Sequence, residues 1–252
     1  MPTRKKLPQY ERRVVAFIDI LGFKNFLGKG GDASFNTIYN ALAELQDRFA
    51  KPMQGWSTGA KKALNINTQA LQVSDCLIIS RLAEEKGGVQ SMLFDCAYAI
   101  HTLIRHGFLC RGAIKVGEMY HNGNMLFGEA YVRAYLAEES ERLPIIKFDS
   151  ELFDLARQYP APSNEGFGSW EENFVRQNCK QLMTDTYYLD YFTDYDDRFG
   201  PGEGEASVHY HALRQIIVNG LALGKNASPY EKFRWAADQF NLSANRFQLP
   251  PI

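Results

Sequence analysis

No run of apolar residues in the sequence is long enough to cross a bilayer; the longest, such as 14–18 and 77–79, fall far short of the ~18 residues a span needs. Nor is there an excess of basic charge. Lys plus Arg number 28 against 29 Asp plus Glu, a formal net charge of -1. That balance argues against a general binder of nucleic acid or acidic membranes, since both rest on a marked basic excess, so any bound anion must sit at a local site. Cysteine is scarce as well. Cys76, Cys96, Cys110 and Cys179 form no CxxC pair and have no His at metal spacing, so they read as buried thiols and not as a disulfide scaffold. The basic stretch 1–9 lacks the apolar segment of a secretory signal, and the expected location is the cytoplasm, without membrane insertion. What is present is enough to fold: 45% hydrophobic residues, 13% aromatic, in 252 residues that allow one large domain or one with a small appendage.

Hydrophobic periodicity orders the chain. Residues 12–21 begin with charge, run through Val14-Val15-Ala16-Phe17-Ile18 and stop at Asp19-Ile20-Leu21-Gly22-Phe23, which predicts a buried strand ending in a turn. Phe35, Ile38, Leu42, Leu45 and Phe49 recur at three- and four-residue steps behind a candidate N-cap, Ser34, and predict an amphipathic helix. After a polar connection over 51–59, β-type runs over 63–73 and 76–82 predict a hairpin with Asp75 near its tip. Val89, Met92, Leu93, Cys96, Ile100, Leu103 and Ile104 mark a second helix closed by Gly107. A strand over 108–116, a turn at Asn122-Gly123-Asn124, a third helix over 129–142 and a strand over 145–148 follow. The order β-α-β-β-α-β, extended by an αβ unit, is that of an α+β, ferredoxin-like fold. Beyond residue 160, loops over 160–168 and 200–204 bracket a strand predicted over 187–192, and 208–223 and 230–241 have helical spacing with many aromatics.

Two carboxylates carry the chemistry. The first strand puts Asp19 at a sheet edge beside the amides of a glycine-containing turn, and amides in such turns cradle phosphate oxygens. Asp75 lies between two strands able to pair next to the first. Alone, either reads as an exposed turn residue. If the hairpin flanks the first strand, however, the two converge, and convergent carboxylates repel unless a cation neutralises them, which points to a divalent metal.

These residues resemble the class III nucleotide cyclases, whose catalytic domain opens with a strand ending Phe-x-Asp-Ile-x-Gly-Phe and carries a second metal Asp in the following hairpin. Here the first motif is Phe17-Ile18-Asp19-Ile20-Leu21-Gly22-Phe23. The match continues in Gln72-Val73-Ser74-Asp75, in Arg111-Gly112-Ala113-Ile114-Lys115-Val116-Gly117, and in Phe127-Gly128-Glu129-Ala130 leading to Glu138 and Ser140, over residues 12–148. The resemblance implies that Asp19 and Asp75 are catalytic and hold two Mg²⁺ or Mn²⁺ ions, with the Ile20 carbonyl as a further ligand. Phe17, Ile20, Leu21, Gly22 and Phe23 are the implied nucleotide-binding set, the last three through phosphate-binding amides. The implied reaction is two-metal phosphoryl transfer: the ribose 3′-hydroxyl attacks the α-phosphorus and pyrophosphate departs. A homodimer with active sites at its interface is implied too. On this reading residues 10–160 form the catalytic domain and 161–252 an extension packed on the same domain or on the dimer.

Some positions depart from the purine-reading members. Where those carry a Lys four residues before the second metal Asp, this chain has Leu71; the acidic base-reading residue near Gly128 falls among Met125 and Leu126; the Asn and Arg of the third helix fall near Val132 and Leu136. The pattern resembles more closely the bacterial pyrimidine cyclases of the Pycsar anti-phage systems, which make cyclic UMP or cyclic CMP and act through a separate cyclic-nucleotide-responsive effector. Residues 230–235, ending at Asn241, echo their C-terminal extension. The expected function is cyclisation of a pyrimidine nucleoside triphosphate, UTP before CTP. The alternative is a catalytically inactive cyclase-fold module that binds a nucleotide or partner protein. A polymerase or nuclease palm shares the scaffold, but template binding needs a basic track that this charge count does not supply. The transition-state cation is expected from Arg133, then Lys115 and Arg111, the last two sharing one face of a strand.

The remaining polar features have bland readings. His101 and His106, five apart, do not share a metal-binding face, and His209 and His211 are expected at the surface. Asp194, Asp196 and Asp197 read as a solvated acidic loop, and the Tyr and Phe residues over 187–199 as core and interface.

Overall fold

Strand β1 (Glu11–Ile20) is buried along most of its length because both faces of its sheet are covered. With a side-chain period of two, Val14, Ala16 and Ile18 point to one face and Val15 and Phe17 to the other. The computed structural model describes residues 8–28, 30–50, 68–193, 205–227 and 229–252. The connection over 51–59, the first part of the strand expected over 63–73, the loop over 200–204 and Asp194, Asp196 and Asp197 lie outside the described residues.

The elements after β1 are α1 (Phe23–Gly28), α2 (Gly31–Ala50), β2 (Gln69–Val73), β3 (Cys76–Leu82), α3 (Gly88–Arg105), β4 (Cys110–Asn122), β5 (Met125–Gly128), α4 (Glu129–Glu139) and β6 (Ile146–Asp149). Then come α5 (Glu151–Gln158), α6 (Trp170–Gln177), β7 (Cys179–Met183), β8 (Thr186–Leu189), α7 (Glu205–Leu221) and α8 (Tyr230–Asn241). One mixed sheet runs β2-β3-β1-β4-β6-β8-β7, with β5 pairing β4; β4 and β6 are parallel and the other pairs antiparallel. The fold is α+β. Its larger core joins one sheet face to residues of α2, α3, α5, α7 and α8. On the other face a small cluster of Val15, Phe17, Ile78 and Met119 meets Ala130 and Ala134 of α4. Among the described residues no helix is long and apolar enough to cross a membrane.

Local signals end the elements near the site. Gly107, at φ 87°, closes α3: its amide donates to the Ile104 carbonyl and that of Phe108 to the Leu103 carbonyl, the paired C-terminal capping bonds that a left-handed glycine permits. That turn sends the chain directly into β4.

Several expectations are corrected. Residues 23–28 form a short helix and not only a turn; one and a half turns are too few for a period to show. Helix α2 starts at Gly31, ahead of Ser34, and Phe35 is exposed, stacked on Tyr39 at 5.9 Å. Helices α5 and α6 and strand β7 were not legible, and the strand expected over 187–192 ends at Leu189. His209 is fully buried, and the Nδ1 atoms of His101 and His209 lie 3.3 Å apart where α3 meets α7. Of the four cysteines, Cys96 and Cys110 are buried, whereas Cys76 and Cys179 are partly exposed.

Candidate active site

Strand register builds the site. Asp19 pairs with Cys76 of β3 on one side and Arg111 of β4 on the other, so three chemically distinct side chains stand in a row across the sheet, on the face covered by α4. Asp75 belongs to the two-residue turn Ser74-Asp75 that joins Val73 to Cys76. Ser74 takes a left-handed φ of 56°, uncommon for a residue with a Cβ, and the turn is tied back when the Ile20 amide donates to the Asp75 carbonyl at 3.2 Å. Ligand atoms of Asp19, Asp75 and Cys76 all lie within 4.8 Å of one another.

The charges around this cluster do not balance. Arg111 donates from Nε to Asp19 Oδ2 at 3.3 Å, from its NH1 nitrogen to the Glu141 carbonyl at 3.0 Å, and pairs with Glu138 of α4. One guanidinium therefore serves two carboxylates, with Asp75 close by. Burial, then the charge of Asp75, raises the pKa of Asp19 against the pull of Arg111. Burial pushes Glu138 up to about 7, and Arg111 opposes that shift as well. Burial and the two aspartates push Cys76 up to about 12, so it stays a thiol and donates toward Asp19 Oδ1 at 3.8 Å. A pair of converging carboxylates short of positive charge, partly shielded from water, fits a hard divalent cation with oxygen ligands.

The other residues expected in the site are placed unevenly. Gly22 adopts φ 79°, as a turn directly after a strand requires, and the amides of Gly22 and Phe23 make no hydrogen bond among the described residues. The Leu21 amide is already used, donating to the Leu109 carbonyl at 2.9 Å. Phe17 is buried beneath α4 with its ring against Tyr131 and Tyr135, at centroid separations of 6.0 and 5.6 Å. Arg133 is half exposed on α4, donating to the Val116 carbonyl at 3.0 Å with Glu129 at 3.7 Å. Lys115 is held by Asp149 of β6, 2.6 Å away.

Three residues at or beside the cluster were given no site role from sequence. Cys76 could have been given one, because it is the first residue after the hairpin turn and so must flank Asp19. Glu138 is one of many acids on an exposed-looking helix, and only the packing of α4 over β4 brings it to Arg111. Lys232 of α8 arrives from the far end of the chain: it lies near enough to Arg111, Asp19 and Glu138 to feel their charges.

No family model matches the chain, and no curated protein matches it. Among solved structures it is similar to the adenylyl cyclase CyaB from P. aeruginosa, at 13% identity over 73% of this chain and 96% of that one, with a TM-score of 0.47. It is similar also to the dimeric guanylyl cyclase domain of the RhoGC fusion protein from Blastocladiella emersonii, at 11% identity, 73% and 97% coverage and a TM-score of 0.45. A bacterial light-regulated adenylyl cyclase matches at 13% identity over 84% of this chain and 59% of that one, with a TM-score of 0.47.

Proposed function

We propose that the protein is a nucleotide cyclase that converts a pyrimidine nucleoside triphosphate, UTP before CTP, to its 3′,5′-cyclic monophosphate and pyrophosphate. The observation that carries the reading is the convergence of Asp19 and Asp75, from a strand end and a neighbouring hairpin turn, beside a turn with free amides. Asp19, Asp75 and the Ile20 carbonyl would hold two Mn²⁺ or Mg²⁺ ions. When bound, such ions lower the pKa of the attacking hydroxyl and neutralise the triphosphate.

The chain's own residues do the rest. Arg111 holds Asp19 and Glu138 in place, keeping the acid cluster ordered before substrate arrives. Of the turn expected to bind phosphate, Gly22 and Phe23 keep their amides for phosphate oxygens, while Leu21 contributes shape alone. Phe17 supports the site from below.

A homodimer accompanies this reading. Val132, Tyr135 and Leu136 are large apolar residues left exposed on α4, on the side of the sheet that this helix covers. A second copy is the occupant we assign to that face. Arg133, half exposed there, is proposed to address transition-state charge in the site it faces across the interface. Leu71 stands where the purine-reading cyclases carry a Lys, and its apolar side chain offers no hydrogen bond to a purine base, which supports a pyrimidine substrate. The product would be a second messenger in anti-phage defence, read by a separate effector.

The test is to incubate the purified protein with each of the four ribonucleoside triphosphates and Mn²⁺ and to identify products by mass. A cyclic pyrimidine monophosphate is expected. A product that is only cyclic AMP or cyclic GMP overturns the substrate reading, and no cyclic product from any of the four overturns the activity.

A further inference from the structure

A cavity of about 760 Å³ lies between the turn after β1, the α3–β4 turn and the two C-terminal helices. Its size is in the range of small-molecule sites, ~300–1,000 Å³. Leu21, Gly22 and Phe26 form one wall, Phe108 and Leu109 another, and α7 and α8 close it with Ile216, Lys232 and Phe233. The wall is mostly apolar, and its charged residues are both cations, Arg105 and Lys232. Arg105 is paired with Glu44 of α2. Lys232 is half buried, and its ammonium makes no hydrogen bond or ion pair with any described residue. It stands next to Asp19 and Glu138 electrically, yet Arg111 is the cation in contact with both. Burial and the repulsion of Arg111 pull its pKa down, while Asp19 and Glu138 hold it up. A half-buried ammonium with no ion-pair partner among the described residues, on the wall of a mostly apolar cavity that also takes in Leu21 and Gly22, is placed to receive an anion.

We infer that Lys232 is a phosphate-binding residue of the same chain's active site, taking the far phosphates of the substrate and then pyrophosphate, so that α8 is part of the catalytic unit. Leu21 and Gly22, which follow Asp19 directly in the chain, line the same cavity as Lys232, so a polyphosphate whose reacting end is held at Asp19 and Asp75 would extend past this turn toward the lysine. The inference deepens the cyclase reading by naming a polyphosphate contact, and it rests on that reading only for the identity of the substrate. The bound anion is defined by its phosphate charge, so inorganic tripolyphosphate is a sufficient probe.

The test measures tripolyphosphate binding by calorimetry at fixed Mn²⁺, with the full chain and with Lys232→Met, Lys232→Arg and Arg234→Ala. Met keeps the apolar stem of the lysine, and Arg234 is an exposed cation on the same helix that serves as control. Lys232→Met is expected to bind about tenfold more weakly, as loss of one charge-assisted contact implies, with Lys232→Arg and Arg234→Ala close to wild type. With the cyclised triphosphate, Lys232→Met is expected to raise KM more than it lowers kcat. Wild-type affinity in Lys232→Met, an equal loss in Arg234→Ala, or no tripolyphosphate binding by the wild type overturns the inference. If Lys232→Met loses tripolyphosphate binding while no triphosphate is cyclised by the wild type, the Lys232 site stands and the cyclase reading falls. If product forms with an unchanged KM in Lys232→Met, the reverse holds.

Discussion

Among the described residues Arg111 is the one cation in contact with the acids of the site, touching both Asp19 and Glu138. Its removal leaves like charges facing one another in a half-buried place. Arg111→Ala is therefore expected to cost about 1–3 kcal/mol of unfolding free energy without divalent ions, and to recover part of it with Mn²⁺. Urea titrations with and without Mn²⁺ check this; equal stability of the two proteins in chelator would contradict it. At this scale the sequence was informative where chemistry followed local geometry. Asp19 and Asp75 were legible because a strand end and a hairpin turn fix where each stands. Lys115 and Arg111 do share a strand face, as their spacing of four requires, but register puts Arg111 opposite Asp19 and Lys115 opposite Val15, where Asp149 of β6 holds it. Glu138 and Lys232 owe their place to helix packing, which no local pattern encodes.

Elements divide the same way. Strand β1, the β2–β3 hairpin and α3 declare themselves by period and by their closing residues, whereas α1, α5 and α6 are too short, at six to eight residues, for a period to stand out. Helix α4 carries a different lesson. Its third-helix spacing was visible, but only Ala130, Ala134 and Glu138 are buried, one thin stripe. Val132 and Leu136 face outward at 49% and 52% exposure, and the proposed second copy accounts for them. Leu136→Glu is expected to shift the protein from dimer to monomer in sedimentation velocity with little change in its circular dichroism, since the site is exposed in a single chain. A monomeric wild type would contradict the assignment of this face. Helix α8 is held close to α7 at Gly220, where an added Cβ would lie 2.3 Å from the Phe233 ring, so that residue next to Lys232 is seated by the absence of a side chain.

At the scale of the whole molecule, the residues beyond 160 extend the same sheet through β8 and β7 and bury Tyr210, Leu213, Ile217 and Phe240 in the larger core. The α3–α7 contact in that core contains His209, whose Nε2 donates to the Tyr191 carbonyl at 3.1 Å, leaving Nδ1 to accept from His101. Burial lowers the pKa of His209 to about 3. An unfolded chain binds that proton from about pH 6.5 downward and the folded chain does not, so stability present above pH 6.5 is lost as pH falls toward 3. Relative to His209→Asn, the wild type is expected to lose about 1.4 kcal/mol per pH unit between pH 6 and 4, measured by urea unfolding. Parallel stability curves would contradict a buried neutral imidazole.

Balanced charge and moderate length first excluded broad classes, and the fold now gives that balance a meaning: acids gather at the end of β1 while a lysine from α8 waits beside them. In the proposed reaction Asp19 and Asp75 run phosphoryl transfer together. The most direct measurement is the yield of cyclic pyrimidine monophosphate, by mass, from the wild type and from Asp19→Asn and Asp75→Asn, at saturating Mn²⁺ with folding checked by circular dichroism. Product from the wild type and at least a ~1,000-fold loss in either variant is the expected result, because each variant removes an anionic ligand from a shared site. Full activity in either variant would contradict it.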